Sequence, residues 1–304
     1  MFFESMLEAG VRLTVPLLLV ALGELIAERA GVINIGLEGK MAAGAYAGFV
    51  VMAGTGDPWA AALAAVLAGA AVSSVMAGVA IWGQVNQILV GFALFIMVPG
   101  LVAFLYQQHT TTLVVTPALD RLSLPGLSEL PVIGGAFFSQ NGFYYGVVAL
   151  CLLVWVWMHR TRFGLSVSAC GHDPEVALSK GIAVRWVRTR ATLACGALAG
   201  LGGAALTVGA LGSFSPGVTG GRGFVAIAIV ILGRWSVGWT VLAALAIGLS
   251  DALRLRLGSQ VDFPVQLLAM LPWLVVLVML IAGARFAKMP RALGRNVGAA
   301  QSVT

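Results

Sequence analysis

The sequence predicts an all-α integral membrane protein of about eight or nine transmembrane helices, several of them interrupted by glycine-broken segments. Three observations carry that reading. Of 304 residues, 60% are hydrophobic and only 10% are charged, with a mean hydropathy of +0.97, whereas about a quarter of a soluble domain is charged. The apolar residues come in long continuous runs, which excludes a barrel of alternating strands of about ten residues. The 39 glycines, with many alanines, suit helices that pack backbone to backbone in lipid.

A spanning helix needs about 20 largely apolar residues, and runs of that kind place spans at 6–27, 36–54, 59–82 and 88–106. "GTGDP" at 54–58 and "GQVNQ" at 83–87 supply the breaks between them. The stretch 107–141 is polar and rich in Pro and Gly, which predicts an irregular external loop holding a small helix or hairpin. Further spans follow at 142–159, 191–212, 222–233, 236–250 and 264–284. The 222–233 and 236–250 pair is short and split by a Gly-Arg-Trp corner, so it also reads as re-entrant. The chain forms one transmembrane unit, 1–304, with a charged loop at 160–190 and a basic tail at 285–304. "MFFESMLEAG" lacks the basic region and cleavage site of a signal peptide, so the first span is expected to be retained.

Lys and Arg set the orientation. In this arrangement thirteen of the eighteen basic residues fall on one side, ten of them in the 160–190 loop and the tail, joined by Arg29, Lys40 and Arg234. That side is the cytoplasm, the C-terminus lies there and the N-terminus lies outside. The formal charge of +6 is accounted for by this asymmetry and does not call for nucleic acid.

Several functions lack their residues. His109, His159 and His172 are isolated, so no metal site is expected. No Ser-His-Asp constellation can be assembled. At Gly39–Lys40 a phosphate loop fails, because Asn34 stands where the first Gly should be and Met41 where the hydroxyl should be. Cys151, Cys170 and Cys195 are scattered and read as core packing.

Polar groups within apolar surroundings are the remaining candidates. Glu24 and Glu28 share a helix face, and Glu24 lies inside the first span, where a carboxylate faces a cavity or a partner. Arg29 and Lys40 are within reach as partners. "GVINIGLEG" carries Gly31, Gly36 and Gly39 and breaks the helix; non-helical backbone near membrane depth persists only where protein buries it or water lines it. Asn34 is its hydrogen-bonding side chain, and Glu38 follows. These residues form either a salt-bridged hinge or the polar wall of a substrate path. "QVNQ", with Asn86, resembles a helix start at the membrane edge. Gly44/Gly48 and Gly196/Gly200 place small residues one turn apart, for internal packing or for a subunit interface.

The charged loop holds a short helix at 174–180. Asp173 is its N-cap, Pro174 fits the first helical position, Glu175 and Lys180 complement the helix dipole, and Gly181 is the stop. Two turns are marginal alone, so the helix lies on the bilayer or docks on a partner.

The run 159–204, "HRTRFGLSVSACGHDPEVALSKGIAVRWVRTRATLACGALAGLGGA", resembles the cytoplasmic loop of permease subunits of ABC importers for ribose-type sugars, nucleosides and branched-chain amino acids. "ERAGVINIGLEGKMAAGA" (28–45), "NQILVGFAL", "GRGFVAIAIVILGRW" and "PVQLLAMLPWLVVLV" resemble the nucleoside/simple-sugar branch. The resemblance covers nearly the whole chain and implies an ABC type II-like importer permease fold in the bacterial cytoplasmic membrane. It implies, at the matching positions Gly171, Asp173, Pro174, Ala177, Gly181 and Ile182, a coupling helix that enters a groove on the ATP-binding subunit, and Glu175 and Lys180 of the same helix are expected to take part. Glu24, Asn34, Gly36, Glu38, Asn86, Phe214 and Phe224 are then expected to shape the translocation path for a small-molecule substrate. The implied partners are a separate ATPase, a substrate-binding lipoprotein outside, and a longer homologous permease. ATP and Mg belong to the ATPase, and no cofactor is expected on this chain. Phe95 stands where the branch shows Asn, and Lys40 where an apolar residue is expected. One N-terminal helix of the ribose permeases has no counterpart here. The residues alone leave open an autonomous ion- or proton-coupled carrier, and the resemblance leaves open ribose or branched-chain amino acids as cargo.

Overall fold

The computed structural model describes residues 2–109, 121–123, 125–126, 128, 134–260, 265–268, 270–283 and 289–296. Helix α1 (Phe2–Arg29) is followed by a non-helical turn and α2 (Leu37–Thr55). Then come α3 (Pro58–Met76), continued by a π-helical turn at Ala77–Trp82, and α4 (Gln87–His109). A small outer element holds β1 (Arg121–Ser123), α5 (Gly134–Phe138) and β2 (Ser139–Asn141), with the strands antiparallel and Leu122 opposite Gln140. Of the small helix or hairpin expected there, the described residues show a short helix and two paired strands, with the helix between the strands in sequence. Next are α6 (Gly142–Arg160), α7 (Arg162–His172), α8 (Pro174–Ser179) and α9 (Val184–Ala204), the last continued by a π segment at Ala205–Leu211. The chain continues through α10 (Arg222–Leu232), α11 (Val237–Gln260), α12 (Val265–Leu268) and α13 (Leu271–Gly283).

Helix α1 is the central post. Of its most apolar window 83% is buried, against 28% for α4, and it packs on α9, α10 and α11. The outward faces of α3 and α4 carry Leu63, Leu67, Ile96, Met97 and Phe104 in the open, as a lipid-facing surface does. Both Gly-xxx-Gly pairs serve internal packing. A Cβ on Gly44 would fall on the Gly200 backbone, and one on Gly196 would strike Gly69 O and Ser73. Thus α2, α3 and α9 meet at backbone distance, the arrangement small residues permit in lipid.

Among the described residues four helices are long and apolar enough to cross a membrane: Glu4–Arg29, Pro58–Trp82, Gln87–Gln108 and Val184–Leu211. They become five if α6 and α7, bent by 72°, are one broken span. The eight or nine spans read from sequence include elements outside that set, for physical reasons. Helix α2 carries Glu38 and Lys40 in its opening turn, and α11 carries Asp251, Arg254 and Arg256. The eleven residues of α10 reach about 16 Å, half of a ~30 Å hydrocarbon core, so 222–233 cannot span by itself.

A second correction concerns 160–190, which is not a loop around one short helix. Thr161 caps α7, accepting from Gly164 N at 3.2 Å, and α7 buries Val167, Cys170 and Gly171 on one face.

Candidate functional site

Helix α8 has the build its residues predict. Asp173 Oδ1 accepts from Glu175 N at 3.0 Å and Val176 N at 3.1 Å, and Pro174 occupies the first helical position. Gly181 ends it in the left-handed region at φ 78°, with Gly181 N donating to Leu178 O and Ile182 N to Ala177 O. Ala177 is buried at 2% exposure and Leu178 packs on the core, so the inner face is anchored on α7 and α9. Asp173, Glu175, Val176 and Lys180 lie on the open side, with Val176 54% exposed. Close by in sequence, Arg185 stands over the Trp82 ring at 5.8 Å and Trp82 Nε1 donates to Thr189 Oγ1 at 3.0 Å. An Arg/Trp collar of this kind marks a membrane–water boundary.

Between α1 and α2 the backbone is non-helical over 30–36, with Gly31 at φ 86°. Protein encloses it. Asn34, wholly buried, accepts from Lys40 Nζ at 2.7 Å and donates to Cys195 Sγ at 3.1 Å. Cys195 in turn approaches Glu24 Oε2 at 3.5 Å. Lys40, standing where an apolar residue was expected, is therefore a fully buried cation whose acceptor is six residues back in the turn. Buried charges need such partners. Cys195 belongs to this chain of hydrogen bonds and is more than packing. Glu28 accepts from the indole N–H of Trp235. That contact secures the Gly-Arg-Trp corner, where Arg234 and Trp235 both take positive φ (51° and 53°), at a cost of roughly 1–2 kcal/mol each.

Glu38 joins the two glycine-broken segments. Its Oε1 accepts from Gly221 N at 2.9 Å and its Oε2 from Gly223 N at 2.7 Å. These are free N–H groups at the start of α10, the positive end of that helix, and a carboxylate suits them. A Cβ on Gly223 would collide with the backbone of Glu38, so only glycine fits. Gly36 and Gly91 also approach closely: a Cβ on Gly36 would come within 3.1 Å of Gly91 O, and one on Gly91 within 3.1 Å of Gly36 N.

The remaining residues expected to shape a path separate into three places. Phe214 is buried among Tyr46, Phe49 and Tyr106, with ring centroids 5.3–5.7 Å away. Phe224 packs edge-on against Phe95 at 5.0 Å, so Phe95 contributes a ring where the family branch has an amide. Asn86 is exposed and caps α4, accepting from Ile88 N at 2.9 Å.

Beside the start of α10 lies a polar cavity of about 190 Å³, lined by Arg222, Asp251, Arg254 and Trp273 among others. Asp251 lies between the two guanidiniums, 3.3 Å from Arg222 and 2.8 Å from Arg254. A complete small-molecule site is roughly 300–1,000 Å³, and this cavity is smaller than that. Sequence reasoning missed Asp251, Arg254 and Trp273, because the first two sit at the end of an apolar helix and face the glycine-rich turn only in three dimensions. No group of three His, Cys, Asp or Glu suited to a metal occurs among the described residues.

Residues 6–284 match the family model described as "Branched-chain amino acid transport system / permease component". The putative glucose ABC transporter permease protein TsgC13 of Haloferax volcanii is 36% identical over 261 residues, 84% of this chain and 78% of its own. The nucleoside ABC transporter permease protein NupC of Lactococcus lactis is 34% identical over 298 residues, and the guanosine ABC transporter permease protein NupQ of Bacillus subtilis 32% over 295. Each of these two matches covers 92% of both chains. No solved structure matches significantly.

Proposed function

We propose, from the premise that this chain belongs to the family of branched-chain amino acid transport permease components, that it moves nucleosides or related simple sugars across the cytoplasmic membrane by alternating access. As an ABC transporter permease it is a multi-pass transport subunit and not an enzyme. In the proposed complex a separate ATPase binds ATP and Mg and drives the cycle, a lipoprotein delivers substrate outside, and a longer homologous permease completes the chamber. The observation that carries this reading is α8, capped, anchored by Ala177 and presenting Glu175 and Val176 to the open side. Two relatives named for nucleosides match over 92% of both chains, against 84% and 78% for the 36%-identical relative named for glucose, and that fuller coverage supports the nucleoside reading.

The N-terminus lies outside and the C-terminus inside. Arg188 bonds Ala30 O and Arg295 O, so the end of α1, the α7–α9 region and the tail share one face. It is the face on which the basic residues place the cytoplasm.

Two results test the reading. In proteoliposomes holding the whole complex, excess guanosine should suppress uptake of labelled nucleoside and excess glucose should not; the reverse pattern would move the substrate to sugars. In the same complex a Glu175→Cys variant should form a crosslink to the ATPase. Failure at Glu175, Val176 and Ser179 alike would leave α8 as a helix lying on the bilayer.

A further inference from the structure

We infer that residues 289–296 are a strap that transmits movement of α8 to the broken segment at 30–36, with Asn296 and Gln87 as positioning residues for transport. This inference rests on α8 being the docking helix.

The strap bonds the end of α7, on which α8 packs, and the broken segment itself. Ala292 N donates to Gly171 O at 3.0 Å, two residues before the Asp173 cap of α8. Gly294 N donates to Gly31 O at 3.0 Å, on the broken segment itself. Arg188, 2% exposed on α9, grips both sides: its Nε reaches Ala30 O at 3.1 Å and its Nη1 reaches Arg295 O at 2.5 Å. Asn296 then extends the connection to the α3–α4 junction, its Nδ2 donating to Gln84 O at 2.9 Å and Val85 O at 3.2 Å. Gln87, buried at the start of α4, closes the circuit by donating to Asn296 Oδ1 at 3.1 Å and accepting from Ile33 N at 2.9 Å.

Its geometry leaves little slack. Gly294 takes φ 76°, and a Cβ there would meet Ile33 Cδ1 at 2.7 Å. Ala292 is 2% exposed, and Leu293 packs on the core cluster. Helix α8 itself packs on α7 and α9. Through Ala292 and Gly294 the strap joins Gly171, two residues before the cap of α8, to Gly31, three positions from Asn34. Hydrogen bonds running from one element to the next are a physical route for such coupling.

A mere staple and a transmission element differ in what they alter. Loss of a staple lowers the amount of folded protein, whereas loss of a transmission element lowers solute moved per ATP hydrolysed. Asn296 is exposed, so Asn296→Ala is expected to leave membrane abundance intact. The test measures that ratio in proteoliposomes of the complete complex for Asn296→Ala, Gln87→Ala and the double variant. We expect transport per ATP to fall at least about threefold in each single variant, with the double variant no worse than the stronger single, because both residues act in one connection. An unchanged ratio, or a fall in transport matched by a fall in abundance, would overturn the strap. Gly181→Val measured alongside separates the two readings. If it fails to uncouple, the α8 premise is wrong; if it uncouples and Asn296→Ala does not, the strap alone is wrong.

Discussion

Gly181→Val is expected to reduce solute uptake at least about tenfold while the protein accumulates in the membrane at its normal level, because an L-residue in the left-handed region costs roughly 1–2 kcal/mol and a β-branched one more. Gly181 has φ 78°, and a Cβ there would meet nothing within 4 Å. The effect is therefore backbone strain, with no clash. Helix α8 has six residues, and a helix that short is held by its caps and its anchor. The strain falls on the two bonds that end it, Gly181 N to Leu178 O and Ile182 N to Ala177 O. The last turn should unwind and Val176 should lose its presented position, while the remote core is untouched. Gly181→Asn distinguishes this from bulk, since Asn tolerates the left-handed region and should keep most of the uptake. Uptake in intact cells beside an immunoblot of membranes measures both quantities. Normal uptake in Gly181→Val would remove α8 from the coupling role.

Much of the fold was legible because its signals are local. The runs read as 36–54 and 59–82 are helical over 37–55 and 58–82, since apolar length and turn residues decide them within one window. Asp173, Pro174 and Gly181 specified α8 for the same reason. Helix α7 was missed although Phe163, Val167, Cys170 and Gly171 repeat at helical spacing, because its charged surroundings read as loop. Less of the candidate site could be read. Glu38 and Gly223 are 185 positions apart, and Asn34 and Cys195 are 161 apart; no local pattern announces such pairs. Lys40 stands where the resemblance expects an apolar residue, and its acceptor Asn34 is only six residues back, in a turn that folds onto α2. Gln87 closes "QVNQ", and its link to the tail, 209 positions on, exists only in the folded chain.

Glu38→Ala should lower uptake by about tenfold or more, and Glu38→Gln by a few-fold, because a buried backbone N–H left without an acceptor costs about 1–3 kcal/mol. Two such groups depend on this one side chain, Gly221 N and Gly223 N. Glutamine keeps one acceptor oxygen and turns an amide N–H₂ towards the other donor, so it satisfies half of the pair. The carboxylate also carries the charge that suits the positive start of α10, which glutamine lacks. This penalty falls at the junction of the two broken segments, where α10 begins beside the cavity of Arg222, Asp251 and Arg254. The central packing of α1 against α9 and α11 does not pass through Glu38, so membrane abundance should fall less than uptake. Uptake and abundance falling in step would make Glu38 a structural cap alone, and unchanged uptake in Glu38→Ala would show that α10 holds its place without it. The order Glu, Gln, Ala in uptake at near-constant abundance is what a carboxylate latch between the two glycine-broken segments requires.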